Sequence, residues 1–114
     1  MGTIKHDSIV VTSWQLQSLL AASQAATGFG LAVTSIVEGH NGYGSFLIAP
    51  DGSKEGWPES DEADLCRAAW INWVRSHDPE HRLEWIHVSL LEGRVATIHD
   101  WGRRGEPEEG ERSR

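Results

Sequence analysis

The chain has a single cysteine, Cys66, among its 114 residues, so no disulfide can form within it. It also has no apolar run near the roughly 18 residues that a membrane-spanning helix needs. The N-terminal segment lacks the apolar stretch of a secretory signal peptide. These absences predict a cytoplasmic protein without a membrane segment. Its one thiol, which lies among small apolar neighbours, is expected to be an inert core side chain rather than a nucleophile.

Positive charge is scarce, because ten Lys and Arg residues stand against 17 Asp and Glu residues and give a formal net charge of −7. Proteins that bind nucleic acids gain most of their affinity by neutralising phosphates. The charge balance therefore predicts no nucleic-acid partner and favours a basic protein or a cation.

Motifs that carry chemistry are missing as well. The sequence has no Gly-x-Ser-x-Gly turn around Ser45, and its glycine-rich run over 39–44 is not followed by a helix that would cradle a phosphate. His77 and His81 have a zinc-like spacing, but Pro79 between them breaks the helix that this spacing requires. We therefore predict no catalytic residues, no zinc site and no cofactor.

Hydrophobic periodicity alternates between two and 3.6 residues along positions 1–102, which we interpret as a single domain. Leu16, Leu19, Leu20, Ala22 and Ala26 share one side of the first helix, and Leu65, Cys66, Ala69, Trp70, Trp73 and Val74 share one side of the second. The predicted elements are strand 8–13, helix 14–27 capped by Thr12 or Ser13, strands 31–38 and 44–49, a helix capped by Ser60 and ended at Pro79, and strands 84–91 and 94–101. This order (β-α-β-β-α-β-β) predicts an α+β two-layer sandwich, in which two helices cover one face of a mainly antiparallel sheet of about five strands.

The last two strands each carry a histidine. A two-residue turn at Glu92 and Gly93 would set His87 opposite Ile98 and His99 opposite Ile86. Because adjacent strand positions point to opposite faces, we expect the two imidazoles to diverge.

The C-terminal segment 103–114 has no apolar side chain to bury, so we predict a disordered charged tail.

Residues 49–64 hold six carboxylates and one lysine, a local formal charge of −5. Trp57 stands among them between Gly56 and Pro58, where an aromatic anchor with a charged rim is typical of a protein-binding hot spot. We predict a partner-binding face formed by Asp51, Lys54, Glu55, Trp57, Glu59 and Asp61. Two alternatives for Trp57 stay open: it can anchor a partner, or it can fold back as a lid over the core.

The same loop also permits a cation site. Asp51, Ser53, Glu55, Gly56, Glu59 and Glu62 fall at the positions of a calcium loop. However, Pro58 and a preceding strand depart from that pattern, so calcium binding is the alternative hypothesis. A carboxylate-based enzyme using Glu55 and Asp61 is a third possibility, without a recognisable partner group.

The string Ala49-Pro50-Asp51-Gly52-Ser53-Lys54-Glu55-Gly56-Trp57, with the segments 7–14 and 83–85, resembles small uncharacterised proteins encoded by tailed bacteriophages and prophages. The resemblance covers most of residues 7–90. It implies a setting in the cytoplasm of a bacterial host and supplies no catalytic residues. With the acidic face, it suggests a non-enzymatic phage-type accessory protein that binds a host or phage protein.

Overall fold

The computed structural model of the protein describes residues 4–52, 54, 56–91 and 96–102. The predicted charged tail over 103–114 lies outside this range. The elements in chain order are strand β1 (Lys5–Ser13), helix α1 (Leu16–Gly28), strand β2 (Val37–Glu38), strand β3 (Gly44–Ile48), helix α2 (Pro58–His77), strand β4 (Glu84–Leu91) and strand β5 (Thr97–Gly102).

The five strands form one sheet in the order β2-β3-β1-β4-β5, and every neighbouring pair is antiparallel. Strand β1 is central, so Val10 pairs with Leu47 on one side and with Ile86 on the other. The predicted α+β class and strand–helix order are confirmed.

Both helices cover the same face of the sheet. Alternate residues of β1 point toward them, and Ile9 and Val11 are completely buried there. Trp70 of α2 lies at the centre of this layer: it donates a hydrogen bond from Nε1 to the carbonyl of Ala22 in α1 (2.9 Å) and meets Trp85 of β4 edge-to-face at 6.0 Å. The buried apolar residues are Ile9, Val11, Leu19, Ala22, Ala26, Phe46, Ile48, Trp70, Ile71, Val74, Leu83 and Trp85.

The beginning of α1 differs from the prediction. Strand β1 continues through Ser13, so neither Thr12 nor Ser13 is the N-cap, a position that Gln15 takes without a side-chain cap bond. Ser13 still accepts a hydrogen bond from the Gln15 amide at 3.0 Å. Leu16 and Leu20, predicted to share the apolar side, are exposed because only Leu19 and the alanines face the sheet.

The beginning of α2 was also predicted wrongly. The helix starts at Pro58 with Trp57 as its N-cap, three residues earlier than a Ser60 cap requires. Proline suits the first helical position, since its fixed φ is already helical and its missing N–H would have had no helical acceptor. Ser60 is therefore inside the helix and buried. Leu65, assigned to the apolar side, is 71% exposed, and Arg67 takes a buried position instead.

Only Val37–Glu38 of the predicted strand 31–38 forms a strand, paired with the start of β3. The preceding residues run beside β3 with irregular bonds, in which the Ala49 amide donates to Ala32 and the Thr34 amide donates to Leu47. The Thr34 hydroxyl accepts from the Leu47 amide and replaces a ladder carbonyl there, which explains why regular pairing fails.

The register of the last hairpin differs from the two-residue-turn prediction. His87 lies opposite Asp100 and Val88 lies opposite Ile98, with a bulge between these pairs. The bulge leaves His99 as an extra residue on β5, which breaks the alternation of side chains. The predicted turn at 92–93 is outside the described residues.

Neither helix in the described part of the chain has the length and apolar character needed to span a membrane.

Candidate functional site

Trp57 is largely accessible, with 47% of its surface exposed at the start of α2. The Lys54 ammonium lies 5.3 Å from the centre of its ring, within the range of a cation–π interaction. Glu59 and Asp61 follow in the first turn of α2 and are both exposed. Glu55 lies outside the described residues. The structure thus places Lys54, Trp57, Glu59 and Asp61 together at one end of α2.

Asp51 has a second role that the sequence did not indicate. Its Oδ1 accepts a hydrogen bond at 3.3 Å from Nη1 of Arg67, a residue that is only 2% exposed. The loop after β3 is thereby fastened to the middle of α2. Asp51 belongs both to the predicted face and to a buried ionic network.

A groove of about 580 Å³ runs beside Trp57. Its lining includes the apolar Leu31 and Ala63 and the partly buried Cys66. The charged residues of the lining are Asp51, Glu59, Glu62 and Arg67, so that three carboxylates stand against one cation. A groove with an apolar part and a surplus of carboxylates suits a long aliphatic side chain that ends in a positive charge. We call this feature the Trp57 groove.

The calcium alternative depends on five ligands, of which only Asp51, Glu59 and Glu62 are described. No group of three or more His, Cys, Asp or Glu side chains that could hold a metal ion occurs among the described residues. Asp51 is engaged by Arg67, which would have to yield to a bound cation.

A second polar region lies between α2 and the β4–β5 side of the sheet. Arg67 donates from Nη2 to Oδ2 of Asp7 at 3.3 Å and also pairs with Asp64. Lys5 reaches both oxygens of Asp64 at 2.8 and 2.9 Å and lies 3.4 Å from Asp7. Two cations and two carboxylates thus connect β1 to α2, and Asp51 extends the set. We call these five residues the Arg67 network.

The charges of the network shift two of its pKa values. Burial alone would raise the pKa of Asp64, but the hydrogen bonds from Lys5 and Arg67 outweigh it and hold that pKa below its usual value. Burial alone would lower the pKa of Lys5, yet the bond to Asp64 and the charge of Asp7 raise it. Both groups therefore stay charged over a wider pH range than they would in water.

The network borders a cleft of about 500 Å³ that also contains His87 and His99. Their ring centres are 5.1 Å apart, so the prediction that these imidazoles diverge was wrong. The β5 bulge is the cause, because it brings His99 to the same face as His87. Burial lowers the pKa of His87, helped by its neighbour His99 and opposed by the charge of Asp7.

The lining of this histidine cleft is electrically balanced. Lys5, Arg67 and Arg75 are matched by Asp7, Asp64 and Asp100, and Arg75 contacts Asp100 at 2.9 Å. No surplus charge is left to attract an ion. In the described part of the chain, Oδ1 of Asp7, Nε of Arg67 and Nε2 of His87 are buried without a hydrogen-bond partner, so the network is incompletely satisfied.

Sequence reasoning missed Arg67 as the organising residue of this region. The available signal was positional: Arg67 is three residues before Trp70 and seven before Val74, on the side of α2 that faces the sheet. Asp7 likewise alternates along β1 with Ile9 and Val11, so its side chain is on the same, helix-facing side of the sheet. A charged residue at an apolar position on each of two elements was the observable cue.

No protein-family model matches the chain, and no curated protein or solved structure is significantly similar to it. Functional inference therefore rests on the geometry of the surface, the groove and the cleft.

Proposed function

We propose that the protein is a non-enzymatic accessory protein that binds a basic segment of a protein partner through its acidic Trp57 surface. This surface comprises Asp51, Lys54, Glu55, Trp57, Glu59 and Asp61. The resemblance to phage-encoded proteins adds the proposed setting, the cytoplasm of a bacterial host, where the partner is a host or phage protein.

The observation that carries the proposal is the exposure of Trp57 beside a groove edged with carboxylates. Tryptophan is enriched among interface residues that dominate binding energy, since it buries a large area at little cost in rotamer entropy. The alternative in which Trp57 closes over the core would leave the ring buried. Instead, nearly half of it faces outward.

The Trp57 groove indicates the chemistry of the partner. A lysine or arginine side chain can lay its methylenes between Trp57 and Leu31 and present its charge to Glu59 and Glu62. Carboxylates at the rim also attract a basic partner over a longer range, which raises the association rate at low salt. A basic segment therefore satisfies both the apolar and the charged parts of the site.

Calcium binding through Asp51, Ser53, Glu55, Glu59 and Glu62 is the alternative proposal. The Asp51–Arg67 hydrogen bond weighs against it, because the ion would have to displace a buried guanidinium. Calorimetry with calcium decides between the two: the partner proposal expects no heat and an unchanged melting temperature.

Affinity capture from a bacterial lysate, with the purified tagged protein as bait, tests the partner proposal. The double variant Trp57→Ala, Asp61→Lys should lose the specific band, since it removes the aromatic anchor and reverses one rim charge. Trp14→Ala is the matched control, because Trp14 is similarly exposed, at 42%. Trp14 follows the C-terminal end of β1, whereas Lys54 pairs with Ile4 at the N-terminal end of that strand. Equal capture by the double variant and the wild type would contradict the proposal.

A further inference from the structure

In the part of the chain that the structure describes, no element covers the face of the sheet that points away from the helices. Val10, Leu90, Ile98 and Trp101 are all exposed on this side, and Ile98 is 57% exposed. Val10, Ile98 and Trp101 border, together with Ile86, an apolar depression of about 590 Å³. A sheet normally buries each apolar face against another element.

Three hydroxyl groups on this open face are already hydrogen-bonded within the sheet. Ser8 donates to the carbonyl of Ile48 at 3.0 Å, Thr12 donates to the carbonyl of Gly44 at 3.0 Å, and Ser45 donates to the Thr12 hydroxyl at 2.9 Å. Covering these hydroxyls removes few hydrogen bonds to water, so their desolvation costs little.

Charge is scarce around this depression, although the chain carries a formal net charge of −7. Among the described residues that border it, Glu84 is the only acidic one and no basic one occurs. A basic partner would thus find little to pair with here. A second copy would present an equally uncharged face, so that few like charges would meet across the contact.

We propose that two copies of the chain associate through this open sheet face, with their helix layers outward. The tail over 103–114 is a poor alternative cover, because its sequence has no apolar side chain. The contact is isologous, and Val10 and Ile86, which are paired at the middle of the sheet, lie near its two-fold axis.

The size of the face sets the strength of this dimer. Four strands spaced by about 4.8 Å and about six residues long at about 3.3 Å each span roughly 400 Å² per copy. The total of roughly 800 Å² in projection, somewhat more when the uneven side-chain surface is included, is below the standard interface size and falls among weak, transient contacts. We expect a reversible dimer with a dissociation constant on the order of ten micromolar. Glu59 and Asp61 of the Trp57 surface remain accessible in it, because they lie on α2 in the helix layer.

Sedimentation velocity over a concentration series from about 1 to about 300 μM tests the proposal, a range chosen to bracket the expected dissociation constant. The wild type should change from monomer to dimer across it. Ile98→Glu should raise the dissociation constant at least tenfold, because each copy would bury a charge. Leu65→Glu is the control, since Leu65 is 71% exposed on α2, and it should leave the dimer unchanged.

A wild type that stays monomeric throughout would overturn the proposal, as would a dimer that Leu65→Glu weakens and Ile98→Glu does not. A dilution experiment on the wild type alone tests the same contact without depending on whether a variant folds. In amide NMR spectra, dilution should shift signals of Val10, Ile86, Ile98 and Trp101. Shifts confined to the helices would contradict the contact.

Discussion

Replacing Arg67 with methionine should cost about 3–5 kcal/mol of the free energy of unfolding, which is typical when one partner of a buried ion pair is removed. The structure supports this size, because Arg67 is 2% exposed and Asp7 is 4% exposed. Their contact is 3.3 Å. At an effective dielectric constant near 20, two unit charges at this separation interact by about 5 kcal/mol. Lys5 stays near Asp7, so the lower part of the range is expected.

A second substitution separates the lost charge pair from a simple packing defect. Asp7→Asn alone should destabilise the wild type by about 1–3 kcal/mol, since it weakens a buried charged contact. In the Arg67→Met background the same change should cost less, because Asp7 has already lost the Arg67 contact and keeps the one to Lys5 at 3.4 Å. The Asp7→Asn effect should therefore be smaller in the Arg67→Met background than in the wild type, which is the coupling that the cycle measures.

Urea unfolding, followed by tryptophan fluorescence at pH 7, measures all four proteins of this cycle. Arg82→Met is the control, because Arg82 pairs with Glu80 on the surface, where such pairs contribute about 0–1 kcal/mol. A loss below about 1 kcal/mol for Arg67→Met, or an Asp7→Asn effect of equal sign and size in both backgrounds, would refute the reasoning about the Arg67 network.

Three further predictions concern the histidine cleft and the core. Because burial lowers the pKa of His87, the unfolded chain takes up its proton first as pH falls below about 6.5, so stability should drop between pH 7 and 5. His87→Gln should reduce that drop in urea midpoints, and an identical drop would count against a buried His87. Gly102→Ala should lower stability by about 1–3 kcal/mol in thermal melts, since its Cβ would overlap the Trp85 indole, and an unchanged melting temperature would contradict that contact. Trp70→Phe should cost about 2–3 kcal/mol, because the bond to Ala22 and part of the ring contact are lost; a cost under about 1 kcal/mol would be inconsistent with a central Trp70.

The fold class was predictable because local patterns and the global fold agree. Period-two alternation in β1 and the apolar side of α1 around Leu19 and Ala22 were readable without tertiary information. Helix ends were harder to predict from the sequence. Pro58 and Ser60 are both good signals for a helix start, and only the turn at Gly56 and the packing of Ser60 decide between them.

The register of the last hairpin and the burial of Arg67 could not be predicted from the sequence, for a different reason. The bulge at His99 depends on how β5 fits Trp85 and α2, so counting from an assumed turn misplaced both imidazoles. Arg67 was unpredictable as a core residue because its burial requires Asp7 from a strand 60 positions away. Interactions between distant residues, rather than local preference, determine these features.

The candidate surface was predicted in part. Exposure of Trp57 and the neighbouring carboxylates was one of two alternatives from the sequence, and the structure favours it. The groove could not be foreseen, since it joins Leu31, which follows α1, to Ala63 and Cys66 on α2.

Cys66 gives the most direct test of the account, because the only thiol of the chain lines the Trp57 groove. The measurement is the rate at which Cys66 reacts with a thiol reagent, with and without the purified partner from the capture experiment. Occupation of the groove predicts a rate several-fold lower in the complex, with protection lost in Trp57→Ala and kept in Trp14→Ala. An unchanged rate at saturating partner would contradict binding at the Trp57 groove.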